Sequence, residues 1–437
     1  MFPYQIWNRL FTEENIKQVY IDKLQTSHSI GLDRISNEKF LKNIDENIQI
    51  ILKKVNNRTY KFTRYKRLLI SKGENKYPRV ISIPTNRDKL VLTMLNKFFD
   101  EVYQNDCKSP LPQVIVNKII INLESYKYYI KIDIKNFYSN IDHKILLEKL
   151  KRKFRKKEII DLIEKAIRTE TIDEYNSGNK KLYKKNKKGI PEGLPISNSL
   201  ANIYFKDFDK KYSSRIDILY CRYVDDILIL CNTNPSVIYE EVKKDIESLY
   251  LTVNDEKKDK GSLDKEFVYL GYLISKDKIS VRKTSVMKIE NTIERLIQKV
   301  NSSNIEYIVW KLNLKISGFI MENNKYGWLF FYSQINDITL LFHLDFVVKN
   351  ILSRYHLEEK IKPKKFVKTY FEITKALHDT RYILNIDNLS LENKKEILQK
   401  IYTKNIEDLS DVSIEIMFKR IMKKEIIDIE KDIQHFS

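Results

Sequence analysis

The stretch Tyr220-Cys-Arg-Tyr-Val-Asp-Asp-Ile-Leu-Ile-Leu-Cys231 sets two short runs rich in Ile, Leu and Tyr on either side of an acidic pair. The pattern predicts strand, tight turn, strand, with Asp225 and Asp226 at the turn. Adjacent carboxylates on a hairpin tip repel each other unless a cation lies between them. Hard oxygen donors of this kind suit Mg²⁺ or Mn²⁺. A solvated turn is the plainer explanation, because Asp-Asp between apolar runs is common and a short motif has many false positives. Two-metal phosphoryl transfer, in which one ion activates the attacking hydroxyl and the other steadies the leaving group, needs at least one more carboxylate from elsewhere in the chain.

Tyr128 to Ile134 supplies a candidate. Ile130, Ile132 and Ile134 fall on one face of the predicted strand, and Tyr129, Lys131 and Asp133 on the other. Asp133 therefore stands near the end of a core strand, on the side away from the isoleucines.

Composition sets the frame. The chain has 437 residues, is 42% hydrophobic and carries a formal charge of +20. It is long enough for two or three domains or one large polymerase-like body, and it can bury a core. A basic surface attracts and steers nucleic acid, although an AT-rich genome also yields a chain rich in Lys, Ile and Asn. Cys107, Cys221 and Cys231 have no metal spacing and read as reduced, buried thiols of a cytoplasmic protein. The N-terminus lacks a basic lead and a long apolar run, so no signal peptide is expected. No stretch approaches a membrane span, and no solenoid repeat is visible.

Outward from the hairpin, the chain reads as mixed α+β. Phe40 to Val55 has helical spacing. Tyr65–Ile70 and Arg79–Pro84 read as a hairpin that presents Lys72, Lys76 and Arg79, cations that can grip a triphosphate, although an ordinary solvated ribbon has the same pattern. Asp88 to Tyr103 predicts an amphipathic helix, and helical spacing resumes after Asp142. Lys151–Lys157 has six basic residues in seven, and Lys180–Lys188 six in nine. Charge runs are commonly solvated faces, and these also suit phosphate-backbone contacts. Gly189-Ile-Pro-Glu-Gly-Leu-Pro-Ile-Ser197 is a shaped loop entering an apolar helix, with Ser197 or Asn198 as cap. Such a loop and helix start can seat a nucleotide or template base. Glu240–Leu251 predicts a helix, Phe267–Ile274 a strand–turn–strand unit, and Ser285 to about Val300 a further helix. The aromatic run Tyr326–Tyr332 reads as core ahead of a base-stacking surface. From about Pro363 the chain is Lys/Ile/Glu-rich helix without a readable motif.

Taken in order, Asp133-Ile-Lys-Asn-Phe-Tyr-Ser-Asn-Ile141, Gly189-Ile-Pro-Glu-Gly-Leu-Pro-Ile-Ser-Asn198, Tyr223-Val-Asp-Asp226 and Phe267–Tyr272 resemble the motifs of a bacterial reverse transcriptase. Arg79-Val-Ile-Ser-Ile-Pro-Thr-Asn-Arg-Asp88 resembles the fingers motif of the lineages related to retrons and group II introns. The resemblance covers roughly residues 30 to 350. It implies a right-hand polymerase: fingers from 1 to 127 with an insertion at about 143–188, palm over 128–275, a helical thumb over 276–360 and a helical C-terminal extension over 361–437.

The same resemblance implies roles. Asp133, Asp225 and Asp226 would hold two Mg²⁺ ions, with Mn²⁺ as a substitute. Lys257 would be the general acid for pyrophosphate departure. Lys72 and Arg79 would contact the triphosphate, and Tyr138 would be the gate that rejects a ribose 2′-OH. Glu192 and Gly193 would lie beside the incoming nucleotide, and Tyr269, Leu270 and Gly271 would form the primer grip. Where the family has Gln, this chain has Glu192, a carboxylate that repels phosphate unless paired with a nearby lysine or protonated.

The expected partners are an RNA template, a DNA product and deoxynucleotides; oligomeric state is left open. The C-terminal segment resembles neither an RNase H domain nor a homing endonuclease. The loop Gly193–Asn198 and Ser333–Asp337 look most like the defence-associated, abortive-infection branch. That branch implies antiphage defence with a dedicated non-coding RNA template, or untemplated or protein-primed synthesis. Competing readings are a retron or group II intron-type enzyme, an RNA-synthesising polymerase, which the bulk of Tyr138 opposes, and a non-catalytic RNA-binding scaffold, which would have no need of the three aspartates.

Overall fold

Alternating and continuous apolar runs account for the sheets in this computed structural model, which describes residues 1–27, 29–71, 73, 77–176, 184–401 and 409–433. The chain divides into two compact units, residues 1–110 with 126–261 and residues 111–125 with 262–437.

In the first unit, β1 (Tyr65–Ile70) pairs antiparallel with β2 (Arg79–Ile83), and Ile70 stands opposite Arg79. A two-residue strand, Thr171–Ile172, joins β1 on its other edge in parallel. The chain then enters α1 (Asn86–Tyr103), where the Thr85 hydroxyl caps the backbone of Asp88. Asp88 is buried, and its carboxylate accepts from Tyr60 at 2.8 Å, the Thr63 amide at 2.9 Å and Thr85 at 2.8 Å. This satisfied carboxylate ties the end of β2 to the preceding loop.

The second sheet of the unit holds β3 (Tyr128–Asp133), β4 (Ile218–Tyr223), β5 (Asp226–Cys231) and β6 (Asp259–Ser262), in the order β4-β5-β3-β6. β5 is central and buried along its whole length, which explains why its sequence is a continuous apolar run instead of an alternating one. Ile227, Leu228, Ile229 and Leu230 are fully buried, each worth about 1.5–3 kcal/mol of transfer free energy. The helices α2 (His143–Lys153), α3 (Lys157–Arg168), α4 (Ser197–Ser213) and α5 (Pro235–Ser248) also belong to this unit. α4 packs on β4, and α5 packs on β3.

In the second unit, β7 (Phe267–Tyr269) and β8 (Tyr272–Ile274) form a hairpin, with β9 (Ile279–Val281) on the far side of β8. Leu270 and Gly271, both with positive φ (48° and 81°), make the two-residue turn that such a hairpin favours. The helices α6 (Lys283–Ile297), α7 (Ile305–Ser317), α8 (Ile338–Arg354), α9 (Phe366–Lys375) and α10 (Asp411–Ile433) surround a core that includes Trp328, Phe330 and Tyr332. The aromatic run is thus packed inward.

Three local expectations are corrected. Phe40–Val55 is not one helix; Asn37–Lys42 and Ile44–Asn56 are separated at Asn43, a poor helix former whose carbonyl accepts from the Asn47 side chain at 2.7 Å. Neither Ser197 nor Asn198 caps α4. Its N-cap is Ile196, and the Ser197 hydroxyl donates instead to the Pro191 carbonyl at 2.7 Å, bracing the loop in front of the helix. The helix expected from Ser285 starts two residues earlier, at Lys283, where Arg282 is the N-cap.

Candidate active site

The hairpin between β4 and β5 turns on Val224 and Asp225 alone. Val224 sits at φ 56°, in the left-handed region that β-branched residues avoid, at a cost of about 1–2 kcal/mol. Such a conformation survives where neighbours over-determine it, and here a buried arginine does so. Arg222 donates to the Val224 carbonyl at 2.8 Å, to both Asp209 oxygens at 2.7 and 2.5 Å, and to Asn202 at 3.1 Å. The Ile134 amide, just beyond β3, donates to the Asp225 carbonyl at 3.2 Å. The turn is therefore clamped from α4 and from β3.

The register of β3 against β5 places Asp133 directly opposite Asp226. Facing positions in adjacent strands lie on one face of a sheet, so residues 93 positions apart, 133 and 226, come together. Asp133 and Asp226 are each only 5% exposed. Asp133 is held by Asn254, whose side chain donates to Oδ2 at 3.1 Å and whose amide donates to the Asp133 carbonyl at 2.8 Å. Lys257 Nζ lies 3.4 Å from Asp133 Oδ1.

Charge crowding shows in the acids. Burial raises the Asp225 carboxyl above the usual range, and Asp133 adds to it. Burial, then the charge of Asp225, pushes Asp226 up to about 7. Lys131, two residues before Asp133 on the same face of β3, acts against that rise, as Lys257 does more weakly. Among the described residues the Asp225 carboxylate has no cation within ion-pair distance.

A divalent cation answers this excess of negative charge. No three acidic, His or Cys side chains among the described residues close into a metal cage by themselves. Mg²⁺ does not need one, since it keeps waters and takes one or two carboxylates together with substrate phosphates. The donor set, hard oxygens of largely buried carboxylates, fits it.

Tyr138 lies in the short helix Phe137–Asn140, entered through Asn136 at φ 49°. Burial, followed by the negative charges of Asp225 and Glu192, raises its phenol far above the usual value, while Arg79 opposes the rise. The ring thus shares its surroundings with the turn, with Glu192 and with Arg79. The Ile190 amide donates to the Tyr138 carbonyl and the Gly189 amide to Ile141, each at 2.8 Å, and the Ser82 amide donates to the Glu192 carbonyl at 2.7 Å. The loop from Gly189 is therefore laid against both β2 and the Tyr138 helix. Gly193 has φ 92°, and a Cβ there would lie 2.6 Å from Ile81 Cγ2, so only glycine allows this approach.

Glu192 does have a partner. It is Arg79, whose Nε donates to Oε2 at 2.5 Å, and not a lysine. Lys72 lies outside the described residues. Tyr269, Leu270 and Gly271 form the β7–β8 turn of the second unit. Sequence reasoning missed Arg222, Asn254 and Lys131. Only Lys131 had a signal, the period of two that it shares with Asp133.

Residues 70–274 match the family profile described as Reverse transcriptase (RNA-dependent DNA polymerase). That segment is similar to a reverse transcriptase domain. The α+β class read from the sequence agrees with the helices and sheets of both units. Protein YkfC of Escherichia coli K12 is 22% identical over 347 residues, 68% of this chain and 87% of that protein. The group II intron-encoded protein LtrA of Lactococcus lactis is 26% identical over 174 residues, 38% of this chain and 28% of LtrA. The match thus spans under a third of the intron-encoded relative's length. Among solved structures, telomerase from Candida albicans in complex with a telomeric RNA fragment aligns at 15% identity with a TM-score of 0.45, over 91% of this chain and 68% of that one.

Proposed function

We propose that this protein is an RNA-directed DNA polymerase that adds deoxynucleotides by two-metal phosphoryl transfer. The observation that carries the reading is the pairing of Asp133 with Asp226 across β3 and β5, with Asp225 clamped on the adjoining turn. Asp133, Asp225 and Asp226 hold Mg²⁺ in this reading, and Mn²⁺ can substitute. The bound ions supply charge neutralisation to the attacking hydroxyl and the leaving pyrophosphate. Lys257, at 3.4 Å from Asp133, keeps an ammonium beside the acids from which a proton can pass to the leaving group. Tyr138 sets a wall beside the turn that excludes a 2′-hydroxyl. Lys72 and Arg79 receive the triphosphate, Glu192 and Gly193 flank the nucleotide, and Tyr269, Leu270 and Gly271 grip the primer.

RNA as template and DNA as product follow from the same reading. The loop Gly193–Asn198 and Ser333–Asp337 support a finer one, antiphage defence with a dedicated non-coding RNA as template.

The test is DNA synthesis by purified protein with its co-purifying nucleic acid, Mg²⁺ and one labelled deoxynucleotide at a time. Synthesis by the wild type and none by Asp225→Ala/Asp226→Ala is the expected result. Loss of synthesis after ribonuclease treatment identifies a bound RNA template; persistence identifies untemplated or protein-primed synthesis. Absence of synthesis by the wild type with every metal and template overturns the reading and favours an RNA-binding scaffold.

A further inference from the structure

The Arg79–Glu192 pair joins two rigid supports. Arg79 opens β2, opposite Ile70. Glu192 sits on a loop fixed by the Ser82 amide, by the close approach of Gly193 to Ile81 and by the Ser197 hydroxyl on Pro191. Neither backbone has to move for the 2.5 Å contact to form. The contact is also open to the solvent, since the Arg79 side chain is 50% exposed and the Glu192 side chain 23%. Both groups act on Tyr138, and Arg79 also acts on Asp225. Arg79, one of the cations that act on Asp225, is therefore paired with a carboxylate.

A polyanion that arrives here meets Glu192 and Asp225 as repelling charges and finds Arg79 engaged. Guanidinium recognises carboxylate and phosphate with the same planar fork of donors, so one can replace the other. We propose that Glu192 is a counter-ion which the triphosphate of an incoming nucleotide displaces from Arg79, so that the strength of this pair sets nucleotide affinity. This rests on the polymerase reading above and adds to it a specificity-determining residue that acts through another side chain. An enzyme so built releases weakly bound polyphosphates and retains a nucleotide only where the metal ions and the triphosphate together outcompete Glu192.

The experiment is a double-mutant cycle on binding, with dTTP as ligand and Ca²⁺ in place of Mg²⁺ to prevent turnover. The four proteins are wild type, Glu192→Gln, Arg79→Gln and the double variant, each with its melting temperature checked. Glu192→Gln is expected to tighten dTTP about fivefold when Arg79 is present and less than about twofold when it is absent, the scale of a half-exposed ion pair. Inorganic tripolyphosphate should show the same pattern, because the exchange involves phosphate and not base or sugar. In DNA synthesis the change should fall in the KM for deoxynucleotide, with kcat altered less. Equal tightening in both backgrounds would mean that Glu192 repels the ligand directly, and weaker binding in Glu192→Gln would mean that Glu192 itself contacts the nucleotide; either result overturns the exchange, as does absence of dTTP binding in all four proteins. If the wild type makes DNA and the cycle is additive, only this inference falls. If it makes no DNA but the cycle holds, the polymerase reading falls and triphosphate exchange remains.

Discussion

Two clusters of buried charge, one in each unit, are built on opposite plans. At the β4–β5 turn the acids are alike in sign and crowd one another. In the second unit Lys315, 3% exposed at its side chain, bonds Asp432 at 2.5 Å and Asp428 at 3.2 Å, and Lys311 lies 3.2 Å from Glu425. Burial disfavours the Asp428 charge, yet Lys315 and Lys311 outweigh it and hold that carboxyl below the usual range. At Asp226, Lys131 and Lys257 do not outweigh burial and Asp225, which drive it the other way. Opposite charges brought into contact fix α10 against α7. Like charges brought together are a cost that folding alone does not explain, and they point to a cation supplied from outside.

The largest expected effect tests that contrast directly. Asp225→Asn should lower DNA synthesis by at least about 10³-fold, the scale for a group that acts mainly in the transition state. It should leave the melting temperature unchanged or raise it, because a repelling charge is gone. Lys315→Met should do the reverse to stability. It strands Asp432 without its cation and leaves Asp428 with Lys311 alone, which costs about 3–5 kcal/mol, read as a fall in the denaturant midpoint. Lys315→Met/Asp432→Leu should recover part of the loss. A large stability loss in Asp225→Asn, or none in Lys315→Met, would erase the distinction between the two clusters.

Acidity sharpens the comparison next. Asp226 is pushed up to about 7, so the folded protein holds a proton that the unfolded chain gives up near the ordinary carboxylate value. The stabilisation from that proton is complete below the ordinary value and is lost as pH rises through about 7. Metal-free protein should therefore lose stability between roughly pH 4 and 7 at this site, and the acids should titrate as a coupled set. Mg²⁺ should restore stability at the upper end of that range, with a proton released on binding. Melting curves against pH, with and without Mg²⁺, measure this. Asp226→Asn should flatten the metal-free profile and remove most of the Mg²⁺ effect.

Legibility in the sequence followed the range of the physics. The alternation at Tyr128–Ile134 and the apolar runs around Asp225 are local, period-two signals, and the strands they predicted are the strands that form. Asp142 caps the helix whose spacing resumes after it, while the helix expected from Asp88 starts two residues earlier, behind a Thr85 cap. The Arg79–Glu192 pair was not legible, because 113 positions separate its members and no local pattern links them. The C-terminal helix read as featureless, yet Glu425, Asp428 and Asp432 stand at helical spacing on one face. That spacing is visible in the sequence. Their partners Lys311 and Lys315 are not, since many lysines of this basic chain were equally available.

The smallest predicted effect concerns Val224. Its left-handed φ costs about 1–2 kcal/mol relative to a residue without a Cβ, but its side chain is partly buried against the core. Partial burial of a valine contributes about 1 kcal/mol, so the two terms nearly cancel. Val224→Gly should shift stability by no more than about 1 kcal/mol in either direction. Its effect on synthesis should be clearer, a loss of several-fold, because glycine widens the conformations open to a turn that Arg222 and Ile134 otherwise hold in one. Melting temperature and kcat measured on the same preparation separate the two. A large stability gain without loss of rate would mean that the strain at Val224 does nothing for the placement of Asp225, and that the acidic cluster is positioned by its strands alone.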